Sequence, residues 1–326
     1  MREFIVDAEQ RAHIGMLIAD CYFINKDYEN ANKFYKTVLA EAPRSPLSSR
    51  LMYQLVISLI RSGDTDGAAK QLNELETQLN SLERWKAEWN LLYTLQQNGN
   101  SDAALKRIKN ITQSKSADNL PNDFLLRIQW MEANLALGSQ DTAIVPALTD
   151  AILTQLDRID QAGIKDEDRA IITSQTLLLK ARALMKIGQH EAALQTYTEL
   201  RQRFAGSAPA LTSFLDEARY YSRQGKSTEA QQIFLKLADK YPESEHTPFA
   251  LYEAALSAEA QGLPRTYEQG LTILQRIIND YPEHGLAFYA RNKQGDLLRR
   301  LNLFGRAQTR YEDLLRRHPE HPEKNA

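Results

Sequence analysis

The sequence predicts an all-α chain, a right-handed α-solenoid of about eight helix–turn–helix units. Three observations carry that expectation. Glycine and proline, 14 and 11 of 326 residues, fall below the ~7% and ~5% usual for soluble chains, which disfavours turn-dense β folds and low-complexity sequence. Apolar residues make up 43% of the chain, enough for a continuous core. Above all, one short pattern recurs along the chain: a helix, a glycine-containing turn, and a second helix opening on a small residue with a bulky one four places on.

The small residue marks the register at Ala31, Ala68, Ala104, Ala143, Ala193, Ala230, Gly270 and Ala307, at intervals of 37, 36, 39, 50, 37, 40 and 37 residues. Four residues after each mark stand Tyr35, Leu72, Ile108, Ala147, Tyr197, Phe234, Leu274 and Tyr311, with Ala147 a poor match. Two helices cross closely where one offers a small side chain, and a bulky side chain one turn on fills the groove beside it. The turns carry Gly63, Gly99, Gly138, Gly188, Gly225 and Gly262, with Lys26 and Asn302 in the first and last units. Pro43, Pro242, Pro282 and Pro319 end second helices, because proline lacks the N–H that a further turn would use.

Along the chain the elements follow in order. Phe4, Ile5, Ala8 and Ala12 already lie on neighbouring faces of a first helix, so structure begins near the first residue and the chain reads as a segment of a longer protein. Three units fill residues 1–118. A divergent unit with an extended connection spans 119–172, four regular units span 173–319, and 320–326 is a tail. Thr112–Asp123 reads as an exposed connection or a bend between two half-solenoids. The 50-residue interval holds the polar stretch Asp157–Arg169, which fits either longer helices or a protruding turn.

The unit Glu217–Pro242 and its relatives, with small residues at the crossings and a closing proline, resemble the tetratricopeptide repeat family, here lengthened beyond its usual period of 34 residues. The closing segments Lys240-Tyr241-Pro242-Glu243-Ser244 and Asp280-Tyr281-Pro282-Glu283-His284 look like those of bacterial envelope repeat proteins, such as the lipoprotein of the outer-membrane barrel-assembly machine and the periplasmic coordinator of envelope constriction. That resemblance implies a periplasmic or envelope home. The wider one implies a noncatalytic scaffold that holds a peptide or protein segment in a concave groove lined by first helices.

Chemistry is sparse in the sequence. Gly225-Lys226-Ser227 lacks the upstream glycine of a phosphate loop, since Tyr220 stands there, and His190-Glu191 lacks the second histidine of a metalloprotease helix. His284, His318 and His321 read as surface histidines of repeat ends, and Cys21, beside Tyr22 and Phe23, as a small core thiol. No cofactor, metal or catalytic residue is expected. A net charge of −2 gives no global attraction to nucleic acid, and no segment approaches the ~20 apolar residues of a membrane helix.

Two groups of residues stand out as groove candidates. Arg182 and Lys186 on one first helix match Arg219 and Arg223 on the next, each pair one helical turn apart, and Arg299 and Arg300 extend the series. Such a block suits an acidic or carboxylate-bearing ligand, because guanidinium forks bond carboxylates directionally, unless acids of adjacent helices neutralise it. Trp85, Trp89 and Tyr93, with Tyr53 in the neighbouring unit, form an aromatic stripe that is either core or an apolar groove. No run of three repeats matches the family's clamp for acidic tails, although Lys86 and Asn90 fall in places comparable to its ligands in one repeat. The rival readings are a structural or homo-oligomerising segment stacked on further repeats, and an enzyme or ligand pocket inside the superhelix.

Overall fold

The computed structural model describes residues 8–74, 81–113, 120–160 and 163–317. Every regular element among them is helical. In order these are α1 (Ala8–Ile24), α2 (Tyr28–Glu41), α3 (Ser48–Arg61), α4 (Thr65–Glu74), α5 (Ser81–Gln97), α6 (Ser101–Thr112) and α7 (Asn122–Gly138). A short 3₁₀ turn (Thr142–Ile144) then leads into α8 (Val145–Arg158), followed by α9 (Asp166–Lys186), α10 (His190–Arg203), α11 (Ala208–Arg223) and α12 (Ser227–Lys240). The last four are α13 (Thr247–Ala260), α14 (Pro264–Asp280), α15 (Leu286–Arg300) and α16 (Phe304–Arg317). The chain forms two compact units, residues 1–139 and 140–326. Within each, a helix packs chiefly on its sequence neighbours, which is the signature of a stacked repeat and confirms the all-α solenoid class.

The expected turns are real and share one backbone conformation. Gly63, Gly99, Gly188, Gly225 and Gly262 all have positive φ, and Lys26 (φ 62°) and Asn302 (φ 60°) adopt the same left-handed state where glycine is missing. The residue after the turn sends its N–H back five residues, as in Asp27 to the Tyr22 carbonyl (2.9 Å), Gln189 to Leu184 (2.9 Å) and Lys226 to Tyr221 (3.0 Å). This 6→1 bond satisfies a carbonyl that the helix end would leave open. The longer interval before Gly270 has a simple cause. The α14 helix has 17 residues against 14 in α12, an added turn that opens on Pro264.

The close crossings also form. Ala31, Ala68, Ala104, Ala193 and Ala230 are wholly buried, as are Tyr35, Leu72, Phe234 and Leu274 four residues on. A methyl group on Gly270 would stand in ordinary contact with Ala255 and Ala258 of α13, at 3.5 and 3.8 Å, and would displace the end of the Leu297 side chain of α15 at 2.8 Å. The aromatic partners in the first and last hairpins reach across the crossing as well. Tyr35 donates to Asp20 Oδ1 (2.5 Å) and Tyr311 to Asp296 Oδ1 (2.8 Å), and each aspartate lies six residues before the left-handed residue. Burial and this bond raise both phenols above their ordinary range.

Three expectations fail. Gly138 ends α7 and is followed by an extended Ser139, with no left-handed turn. Ala143 and Ala147 are exposed. Val145, Thr149 and Ile152 are buried instead, at the spacing of Ala193, Tyr197 and Leu200, so the register lies two residues further on and exchanges large for small. Cys21 is exposed, because the buried face of α1 runs through Ala12, Met16 and Ala19 and two residues beyond Ala19 is about 200° round the helix. The 50-residue interval is taken up by the 21 residues of α9. Arg169 of α9 donates to the carbonyls of Leu156 and, at 2.6 Å, Ile159, closing the end of α8. Residues 114–119 of the predicted connection lie outside the described residues.

One polar contact in the first unit was not foreseen. Arg107 on α6 is 6% exposed and Glu88 on α5 is 0% exposed. They form a two-pronged ion pair, with Nε to Oε2 at 2.8 Å and Nη2 to Oε1, while Arg107 Nη1 donates to Asn73 Oδ1 of α4 (2.5 Å). Three helices thus share one guanidinium.

These contacts set three expected outcomes, each readable by chemical denaturation. Ala230→Leu overpacks its crossing and costs about 1–3 kcal/mol. Arg107→Ala strands a buried carboxylate and costs about 3–5 kcal/mol, whereas replacing both partners by apolar residues of similar volume costs far less. Lys26→Gly relieves the left-handed backbone and stabilises by up to about 1 kcal/mol, with a smaller gain for Asn302→Gly because asparagine tolerates that region.

Candidate protein-binding face

The first helices of successive hairpins lean on one another, α3 on α5 in the first unit and α9 on α11 and α13 on α15 in the second, whereas second helices make less contact with each other. A stack that is closer on one side bends toward that side, so first helices line the inner wall of each unit. Counting back from the turn residue aligns their exposed positions. Six before it stand Arg182, Arg219, Leu256 and Asp296, and two before it Lys186, Arg223, Ala260 and Arg300.

The structure joins some of the predicted cations and separates others. Arg182 Nε donates to Asp216 Oδ2 on α11 at 2.6 Å, and Arg201 of α10 engages Glu217. Both acids of α11 are therefore held by cations of the preceding hairpin. Arg219 and Arg223 are exposed and form no ion pair with a described residue. Lys186 is also exposed. Arg299 and Arg300 belong to a different group. Arg300 Nε bonds Glu259 Oε1 at 2.8 Å and lies over the Tyr267 ring, Arg299 lies near the Tyr311 phenol and opposes the rise in its pKa, and Lys293 bridges Glu259 and Asp296. Between the two groups, α13 contributes no cation at these positions.

The aromatic stripe divides by depth. Trp85 is buried against Phe124, with ring centroids 5.0 Å apart, and is core. Trp89 and Tyr53 are half-buried at the edge of that core, and burial raises the Tyr53 phenol. Tyr93 is 51% exposed. The Asn90 amide is bonded to the Lys86 carbonyl of its own helix (2.7 Å).

Phe249 was overlooked in the sequence. It lies 13 residues before the turn on α13 and is 50% exposed, with its ring edge-on to His284 at 5.6 Å. The signal was available in the alignment of units, since Gln175 and Thr212 occupy that place in the two preceding ones. His284 is half-buried and its Nδ1 accepts from the Leu286 N–H (3.2 Å), the task that Ser45 and Ser244 perform in other inter-repeat turns. It is a turn-closing residue. His318 and His321 lie outside the described residues, and among the described residues no group of three acidic, histidine or cysteine side chains could hold a metal. No helix of the described residues is long and apolar enough to cross a membrane.

With this geometry in place, comparison with known proteins defines the class. The tetratricopeptide repeat signature matches residues 175–207, 213–244 and 249–284, and a second form of it matches 292–323. These segments coincide with the hairpins of α9 to α16, and the chain belongs to the tetratricopeptide repeat superfamily. The envelope branch suggested by the Tyr-Pro ends draws no support from the matches. Two solved structures share the fold. RapI in its apo form aligns with a TM-score of 0.57 at 12% identity over 93% of this chain and 88% of that one. The signal-transduction ATPase PH0952 from Pyrococcus horikoshii, which has a tetratricopeptide repeat sensor, aligns with a TM-score of 0.55 at 14% identity over 95% of this chain and 48% of that one. No curated protein matches the sequence.

Proposed function

We propose that the chain is a noncatalytic scaffold whose second unit holds a protein segment along the inner wall, acidic where it meets α9 and α11 and apolar where it meets α13. One observation carries the reading. Arg219 and Arg223 stand one helical turn apart, exposed and without an acidic partner among the described residues, and the next first helix exposes Phe249, with Leu256 half-buried. Cations left unpaired on a face whose other cations are paired are suited to a ligand's carboxylates. A wall built by stacking is already formed before the ligand arrives, so less ordering entropy opposes binding. The rival stacking role has a weaker basis, because α16 exposes mostly polar residues, with Phe304 and Leu315 the exceptions.

A labelled peptide with four glutamates followed by alternating leucine and phenylalanine tests this by fluorescence anisotropy. The double reversal Arg219→Glu, Arg223→Glu is expected to weaken binding at least tenfold. Affinity should fall as salt is raised, since exposed charges are screened, and circular dichroism should stay unchanged because both residues are exposed. Equal affinity of the variant and the parent chain would remove these arginines from the site.

A further inference from the structure

The last hairpin departs from its predecessors on the face that points along the stack. Eleven residues before the turn, the second unit carries Leu177, Phe214 and Leu251, all at most 2% exposed, and then Arg291. Three residues after the register mark it carries Thr196, Ile233, Ile273 and then Arg310, the one cation of the four. In the earlier hairpins these residues lie in the groove between the paired helices, where the following first helix packs, α13 on α12 and α15 on α14. The α15–α16 pair keeps the same internal packing, with Ala307 and Leu314 buried where α14 buries Gly270 and Ile277. The groove is therefore still of a shape that takes a helix, but its lining has changed from apolar to cationic.

The resulting cleft has a volume of about 530 Å³ and is lined by Leu298, Thr309, the cations Arg306, Arg310 and Arg316 and the acids Glu312 and Asp313. Burial first, and then repulsion from Arg317 and Arg310, lowers the Arg291 pKa against the opposing attraction of Asp313. Acids are too few to balance this group. Asp313 is engaged by Arg316 (2.7 Å) and Arg317 (2.8 Å), and Glu312 accepts from Gln308. Arg306 and Arg310 form no ion pair with a described residue. A merely solubilising surface would need polar groups of either sign, and a concentration of one sign leaves repulsion that an anionic occupant relieves.

We propose that the cleft between α15 and α16 docks an acidic helix of a partner protein, whose carboxylates meet Arg291, Arg306 and Arg310 and whose apolar side chains lie on Leu298. The helical form follows from the groove, which is filled by a helix in each earlier hairpin, and the acidic character follows from the arginines that replace its apolar lining. The site is separate from the inner wall and does not depend on the reading given for it.

The probe is a labelled 18-residue helical peptide of alanine and leucine with glutamate at every third or fourth position, titrated into the full chain by fluorescence anisotropy. Binding is expected, weakened at least tenfold by Arg291→Glu with Arg310→Glu and by the milder Arg306→Ser with Arg310→Ser. It should be unaffected by Arg219→Glu with Arg223→Glu, so that the two surfaces fail or stand independently. The proposal falls if the reversed variant, shown by circular dichroism to be folded, binds as well as the parent. It also falls if a proline-broken peptide of equal charge binds equally, or if pyrophosphate displaces the probe at equal concentration, which would make the cleft a small-anion site. Two further results would overturn it. A dimer seen by sedimentation and abolished by the reversal would give the cleft to a second copy, and a tenfold gain in affinity on Glu320→Gln with Glu323→Gln would give it to the chain's own tail.

Discussion

Two helices can share one hydrogen-bonded turn and still lie side by side only if the second offers almost no side chain where the first crosses it. In this chain that constraint is met by Ala31, Ala68, Ala104, Ala193 and Ala230, all fully buried, and at Gly270 by the absence of any side chain. The left-handed residue that precedes each crossing serves the same end, since it reverses the chain within two or three residues and delivers the small residue to the crossing at a fixed distance. Where glycine is missing the backbone still adopts that conformation, at Lys26 and Asn302. The packing of the hairpin is thus strong enough to impose the turn on residues that would otherwise avoid it.

This explains why the fold was legible in the sequence. A requirement that falls on one residue type at one spacing leaves a pattern that survives heavy substitution elsewhere. It also explains where reading failed. At Val145 and Thr149 the large and small residues exchange places, so a search for alanine settled on the exposed Ala143, although the packing geometry continues two residues away. Cys21 was misplaced because its apolar neighbours Tyr22 and Phe23 suggested a buried stretch, and only the spacing of Ala12, Met16 and Ala19 reveals which face is inside. The candidate site was legible in its residue types and not in its pairing. Arg182 and Arg219 occupy equivalent positions, but whether each finds an acid depends on which side chains the neighbouring helix brings within reach. Sequence periodicity does not encode that distance.

Ion pairs in the second unit follow a rule of neighbours. Arg182 with Asp216, Arg201 with Glu217, Arg276 with Asp239 and Arg300 with Glu259 each join one hairpin to the next. Exposed pairs of this kind add little stability each, but they consume charge, and what they leave unconsumed distinguishes one stretch of wall from another. On the inner wall Arg219 and Arg223 have no acidic partner among the described residues, and both acids of α11 are bound to the preceding hairpin.

The last hairpin follows a different logic, and the chemistry of arginine accounts for it. Converting a helix-packing groove into an exposed one removes the need for apolar residues at Arg291 and Arg310 but leaves Leu298 as its floor. A lysine placed there would lose its proton readily when half-buried among like charges, whereas arginine keeps its charge and lays an apolar stem over the floor while directing a planar fork outward. Arg291, beside the cleft, holds one donor on its own helix, Nη1 to the Ala287 carbonyl at 3.1 Å. A groove shaped for a helix and edged with arginine forks selects by charge through Arg306 and Arg310, one helical turn apart, and by backbone form through the width of the space between α15 and α16.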